Sequence, residues 1–258
     1  MIRKEYIHKD IFEFEAGGSM EGLKVVYHCS EKPYEPGQKV IWICHALTAN
    51  SDAQDWWPEL VGPGRLFDTE KYFVVCANML GSAYGSSGPA SINPATGKPF
   101  YFDFPKVTVR DIVRANDLVR RHLGIKKIDL MVGGSIGGFQ SVEWTIMEPE
   151  LFEKAVFIAC GARVTPWLTA WEESQRMALE PPLHSGHAKA SRAARPASDV
   201  PEASRLSRTE ATRDTMLHSR KRTRIVSSRT GQAHISAIRE RSFPTVLTPI
   251  HITTSAIL

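Results

Sequence analysis

The stretch Leu130–Trp144, LMVGGSIGGFQSVEW, crowds four glycines (Gly133, Gly134, Gly137 and Gly138) around one serine, Ser135. Gly133-x-Ser135-x-Gly137 has the spacing of a nucleophile elbow, in which a serine stands on a tight turn between a strand and a helix. Such a turn is strained, and side chains two before and two after the serine would collide across it. Glycine at both places removes the offending Cβ atoms. The helix expected to start just after Ser135 would aim free N–H groups at the site, which favours developing negative charge. The stretch lacks the G-K-[ST] ending of a phosphate loop, and it lacks the G-x-G-x-x-G spacing of a dinucleotide site.

Working outward, short apolar runs alternate with helical patterns. Val40–Cys44 (VIWIC), Tyr72–Ala77 (YFVVCA), Ile128–Val132 (IDLMV) and Ala155–Cys160 (AVFIAC) read as buried strands. A helix is expected over Val109–Leu123, with Thr108 as N-cap, Asp111 closing a capping box and Gly124 as the stop. A second spans Gly137–Met147 and ends before Pro149. A third opens at Thr165–Pro166 and runs to about Leu179. This alternation predicts a parallel sheet covered by helices on both faces. Ligands of such sheets sit beyond the C-terminal strand ends. Both HALT (His45–Thr48) and the glycine cluster fall there, on one edge. The long Gly/Ser/Pro loop from Asn78 is of a length that is usually functional or mobile.

Ser135 is therefore the candidate nucleophile. The backbone N–H of Ile136 is one candidate oxyanion donor, and the backbone N–H of Leu47 is the other. His45 is read as a residue that shapes the HALT loop, since in this arrangement the catalytic histidine comes last in the chain.

Four stretches together resemble the homoserine O-acetyltransferases, a family of the α/β-hydrolase fold. They are CHALTANSD (Cys44–Asp52), NMLGSAYGSSGP (Asn78–Pro89), VGGSIGGFQSVEW (Val132–Trp144) and WEESQRMAL (Trp171–Leu179). The resemblance covers residues 27–179. It departs from the commonest family form at Ile136, where methionine is frequent, and at Phe139. It implies a ping-pong reaction in methionine biosynthesis. Ser135 would take the acetyl group from acetyl-CoA, and the hydroxyl of L-homoserine would then accept it. Succinyl-CoA is the other possible donor. The acyl-CoA is a co-substrate, and neither a bound cofactor nor a metal is implied. The Asn78–Pro89 loop and the helix from Pro166 would shape the acceptor pocket. Family members are often homodimers through a lid that this chain does not show in its sequence.

The family also requires an aspartate and then a histidine after the lid. The resemblance stops near Glu180. Residues 181–258 carry 13 basic and 5 acidic residues, a balance of +8 within a net charge of +4. They hold one aromatic residue, Phe243, of the chain's 23. This composition does not offset the entropy of ordering a chain, so the segment is expected to be disordered and the sheet incomplete. We read it as the product of a shifted reading frame. A natural basic tail is the alternative, but its SRKRTR cluster (Ser219–Arg224) has no interleaved aromatics to stack on bases, which argues against nucleic acid. Asp199, Asp214, His218, His234 and His251 match the missing triad members by residue type alone. The expectation is thus a transferase-like chain with little or no activity, because Ser135 lacks its base. An ester hydrolase of the same fold, and a non-enzymatic binding protein with a basic tail, are the other readings.

No charged-then-apolar leader and no run of about 18 apolar residues is present, so neither a signal peptide nor a membrane span is expected. Cys29, Cys44, Cys76 and Cys160 form no C-x-x-C pair and read as buried reduced thiols of a cytoplasmic protein.

Overall fold

The computed structural model describes residues 1–161, 163–179 and 251–252. The expectation of a disordered segment after residue 180 falls almost wholly outside them, as do Asp199, Asp214, His218 and His234. In chain order the elements are β1 (Ile2–Ile7), β2 (Phe12–Glu13), β3 (Ser19–Met20), β4 (Lys24–Cys29), β5 (Val40–Cys44), α1 (Ala53–Trp56), β6 (Phe73–Ala77), β7 (Ile92–Asn93), β8 (Lys98–Pro99), β9 (Val107–Thr108), α2 (Val109–His122), β10 (Leu130–Gly134), α3 (Ile136–Met147), β11 (Ala155–Ile158), α4 (Pro166–Leu179) and β12 (His251–Ile252).

Six strands form the main sheet in the order β1-β4-β6-β5-β10-β11. The four from β6 to β11 are parallel, as the sequence predicts. The sequence reading misses the antiparallel β4 and β1 added beside β6. Their polar residues (Lys24, His28, and Arg3–Glu5) break the continuous apolar run used to find the other strands.

The two edges differ in chemistry. β1 exposes Arg3, Lys4 and Glu5, with Arg3 and Glu5 paired at 2.8 Å. Such charges keep an edge from pairing with foreign strands. β11 exposes Val156, Phe157 and Ile158. It is therefore not the buried strand its composition suggests, but the apolar outer strand among the described residues. It ends at Ile158 rather than Cys160 because Ala159 turns to φ +51°.

The third predicted strand is shifted by two residues. Ile128 makes only an isolated bridge to Phe152, and the ladder continues through Gly133 and Gly134. The chain stays extended up to the serine.

The helices follow from their caps and stripes. Thr108 Oγ1 accepts the Asp111 N–H at 3.2 Å while Asp111 Oδ2 accepts the Thr108 N–H at 3.0 Å. Gly124, at φ +73°, supplies the left-handed stop. Ile112, Ala115 and Val119 bury their side chains in the core. There Trp42 of β5 meets Trp144 of α3 edge to face, with ring centroids 5.1 Å apart. Thr165 Oγ1 accepts the Leu168 N–H at 3.2 Å, the predicted cap of α4. No helix among the described residues is long and apolar enough to cross a membrane.

Candidate active site

Ser135 occupies the turn between β10 and α3 at φ +55° and ψ −119°. Only two other non-glycine residues among those described have positive φ. This conformation is costly for a residue with a Cβ and persists where the surroundings impose it. Three close approaches impose it here. A Cβ on Gly133 would lie 2.2 Å from the Gly137 carbonyl oxygen and 2.3 Å from Ser141 Oγ. One on Gly137 would lie 2.0 Å from the Cys44 carbonyl oxygen. One on Gly138 would lie 2.4 Å from Cys160 Sγ. Gly134 has open space where its Cβ would be, so it is not part of the steric requirement.

The register of β10 on β5 pairs Gly133 with Cys44. Ser135 is two residues beyond that pair, and Leu47 is three residues beyond it on the neighbouring strand end. The sequence-predicted groups thus share one edge. Ser135 is exposed, and its hydroxyl has no hydrogen-bond partner among the described residues. Its N–H donates to the Ile158 carbonyl at 2.9 Å. Ile136 is the first residue of α3, so its N–H has no carbonyl within the helix to bind. Leu47 lies in a turn closed by the Ala49 N–H on the Ala46 carbonyl at 3.0 Å, and its own N–H has no hydrogen-bond partner among the described residues.

His45 is wholly buried. Its Nδ1 lies 2.8 Å from the Ala46 carbonyl, and its Nε2 accepts the Met79 N–H at 3.2 Å. Those partners fix a neutral ring with the proton on Nδ1. Burial pushes its pKa down to about 4, with the Ala46 carbonyl opposing. Both nitrogens are committed, so His45 shapes the HALT loop and cannot serve Ser135 as a base.

The loop after β6 proves to be clamped. Asn78 Oδ1 accepts the Ser51 N–H at 2.7 Å, and its Nδ2 donates to the Tyr84 carbonyl at 2.9 Å. Its N–H reaches the Val26 carbonyl, and its own carbonyl accepts Ser86 Oγ–H at 3.0 Å. Ser86 and Ser87 accept the N–H groups of Val26 and Lys24. This buried node ties the loops after β5 and β6 to β4. The sequence reading misses it, since its only signal is a run of small polar residues that also suits an exposed loop.

A second missed feature is His28. Its Nδ1 is 2.8 Å from Ser51 Oγ, and its Nε2 is 3.9 Å from Asp52. Ser51 is fully buried, so this trio is structural rather than a second nucleophile. Burial lowers the His28 pKa, opposed by Asp52.

Burial pushes the Cys44 thiol up to about 12, and raises Cys29, Cys76 and Cys160 too. All four cysteines are free, although Cys160 is only partly buried. Among the described residues no three His, Cys, Asp or Glu side chains converge as metal ligands. His251 pairs with Thr108 through the β12–β9 ladder, at the start of α2. Among the described residues no histidine or carboxylate is hydrogen-bonded to the Ser135 hydroxyl.

The arrangement is an exposed serine on a strand–helix turn, with two N–H groups that have no partner among the described residues on the same sheet edge, a set whose chemistry suits attack on an acyl carbonyl. The chain matches the family of the alpha/beta hydrolase fold over residues 39–197. It is 41% identical over 180 residues to a homoserine O-acetyltransferase from Cyclobacterium marinum, covering 70% of this chain and 51% of that protein. A crystal structure of homoserine O-acetyltransferase from Staphylococcus aureus superposes with a TM-score of 0.58 at 31% identity, covering 69% of this chain and 52% of that one. An acetylester hydrolase from Corynebacterium glutamicum superposes with a TM-score of 0.61 at 26% identity, covering 69% and 50%. The chain spans about half the length of the curated relatives it matches.

Proposed function

Because this chain belongs to the α/β-hydrolase family, we propose that Ser135 is the nucleophile of an acyl transfer from acyl-CoA to the hydroxyl of L-homoserine. The observation that carries the reading is the exposed Ser135 in a left-handed backbone, on the same sheet edge as the Ile136 and Leu47 N–H groups, which have no partner among the described residues. The acceptor is taken from the relatives named homoserine O-acetyltransferase.

In the first step Ser135 Oγ attacks the thioester carbonyl and loses its proton, while the C–S bond breaks and the thiol leaves protonated. The Ile136 and Leu47 N–H groups hold the oxyanion between the two events. In the second step the homoserine hydroxyl attacks the serine ester, releases Ser135 and carries the acyl group away. Acetyl-CoA is the proposed donor, succinyl-CoA the alternative. Both are consumed as substrates, in the cytoplasm, on a route to methionine.

Both steps need a base; among the described residues His45 and His28 are engaged elsewhere and no side chain is bonded to the Ser135 hydroxyl. An oxyanion site without its triad retains only weak catalysis. We therefore expect this chain to transfer acyl groups far below the ordinary range of about 1–1,000 turnovers per second. Thiol release from acetyl-CoA, followed with and without L-homoserine and in Ser135→Ala, tests this. Slow, serine-dependent and homoserine-dependent release supports the reading. Release unaffected by Ser135→Ala would overturn it, and an ordinary turnover rate would overturn the missing base.

The likeness to an acetylester hydrolase supports a second reading, with water as acceptor. The ratio of acetate to O-acetylhomoserine, measured as homoserine is raised, separates the two.

A further inference from the structure

Two of the three positive-φ residues other than glycine among the described residues, Ser135 and Ala159, stand at the ends of neighbouring strands, β10 and β11. One hydrogen bond links the two turns: the Ser135 N–H donates to the carbonyl of Ile158, the residue before Ala159. The left-handed turn at Ala159 ends β11 and brings Cys160 back against the first turn of α3. There its Sγ and Cβ lie 2.4 and 2.7 Å from the point a Cβ on Gly138 would occupy. Gly138 in turn donates its N–H to the Ser135 carbonyl at 2.9 Å. Ser135 is thus held on both sides, by Ile158 through its N–H and by Gly138 through its carbonyl. Cys160 touches the second of these.

We propose that Cys160 is a positioning residue, which seats the start of α3 against the end of β11 and so sets where the Ile136 N–H points. This rests on the reading of Ser135 as an acyl-accepting nucleophile. The contact is steric, so the thiol's protonation has no part in it. Small size on the α3 side and one heavy atom beyond Cβ on the β11 side fill the gap. Misplacing a catalytic group by about 1 Å can cost about a hundredfold in rate, even when the change lies away from the chemistry.

The test moves bulk from one side of the contact to the other in the full-length chain. The variants are Cys160→Gly, Cys160→Ser, Gly138→Ala and the double Gly138→Ala/Cys160→Gly. Two readouts are taken. The first is the rate at which p-nitrophenyl acetate acylates Ser135, releasing one p-nitrophenol per serine ester formed. The second is amide hydrogen exchange of residues 133–139.

Cys160→Gly leaves a gap and Gly138→Ala a collision. Each should slow acylation about tenfold or more and speed exchange of the Ser135 amide. Cys160→Ser, which keeps the shape, should match the parent. The double variant should recover most of the rate lost by Gly138→Ala. A Cys160→Gly chain that acylates at the parent rate, or a double variant no better than Gly138→Ala, would overturn the proposal. If the parent shows no acylation that Ser135→Ala removes, the functional reading falls instead. The exchange pattern then still decides whether Cys160 positions the turn.

Discussion

Gly137 of α3 lies so close to Cys44 of β5 that a methyl group on it would stand 2.0 Å from the Cys44 carbonyl oxygen and 2.8 Å from that of His45. Both neighbours are backbone and neither can swing aside. Gly137→Ala should therefore cost about 3 kcal/mol or more, or prevent folding. Gly134→Ala, one residue before the serine but facing open space, should change stability by only about 0.5 kcal/mol. Denaturant unfolding of the pair measures the contrast. Equal losses would show that the turn is not constrained as described.

His45 makes stability depend on acid. Its pKa is lowered from 6.5 to about 4 in the folded chain, so the unfolded state binds the extra proton first. The stabilisation is complete above about pH 6.5 and is lost progressively as pH falls towards 4. It amounts to about 3 kcal/mol at full loss. Unfolding midpoints between pH 4 and 7 should fall on the acid side in the parent and much less in His45→Gln. Parallel curves for the two chains would rule this out.

The Thr108–Asp111 box satisfies two N–H groups at the buried start of α2. Thr108→Ala should lower stability by about 1 kcal/mol, and Thr108→Ser should restore most of it. Thermal unfolding of the three chains reads both.

The apolar β11 edge should make the chain self-associate. Val156, Phe157 and Ile158 are exposed and carry no charge, unlike β1 at the other edge. Phe157→Lys should raise the concentration at which light scattering first appears. A monodisperse parent, unaltered by this change, would refute the reading.

The parallel half of the sheet was legible because each strand is a continuous apolar run ending in a loop that carries small or polar residues. The elbow was legible for a stronger reason: its two outer glycines answer a steric demand that only one local geometry makes. Gly133 and Gly137 meet backbone atoms, so their spacing transmits directly into φ at Ser135. β1 and β4 were not legible. Polar side chains interrupt both strands, and β4 finds its second partner, β6, only some 50 positions away, as in Tyr27 with Ala77. The exposure of β11 was also hidden, because composition tells what a strand can bury and not whether a neighbour is there. The Asn78 node escaped because two of its bonds go to the remote Ser51 and Val26, while the other two stay within its own loop, at Tyr84 and Ser86, among small polar residues that equally suit an exposed stretch.

The strand order has a consequence for synthesis. From β5 outward, the sheet is extended by β10 and then by β11, in the order in which the ribosome delivers them. β6 and β4, on the other side, are already available when β10 emerges. The nascent chain can therefore assemble its centre first and add one strand at a time, with each new arrival forming a fresh outer row. Until the next segment leaves the exit tunnel, that row is the most adhesive part of the molecule. The interval between successive strands is thus the time during which a holding chaperone would be most useful.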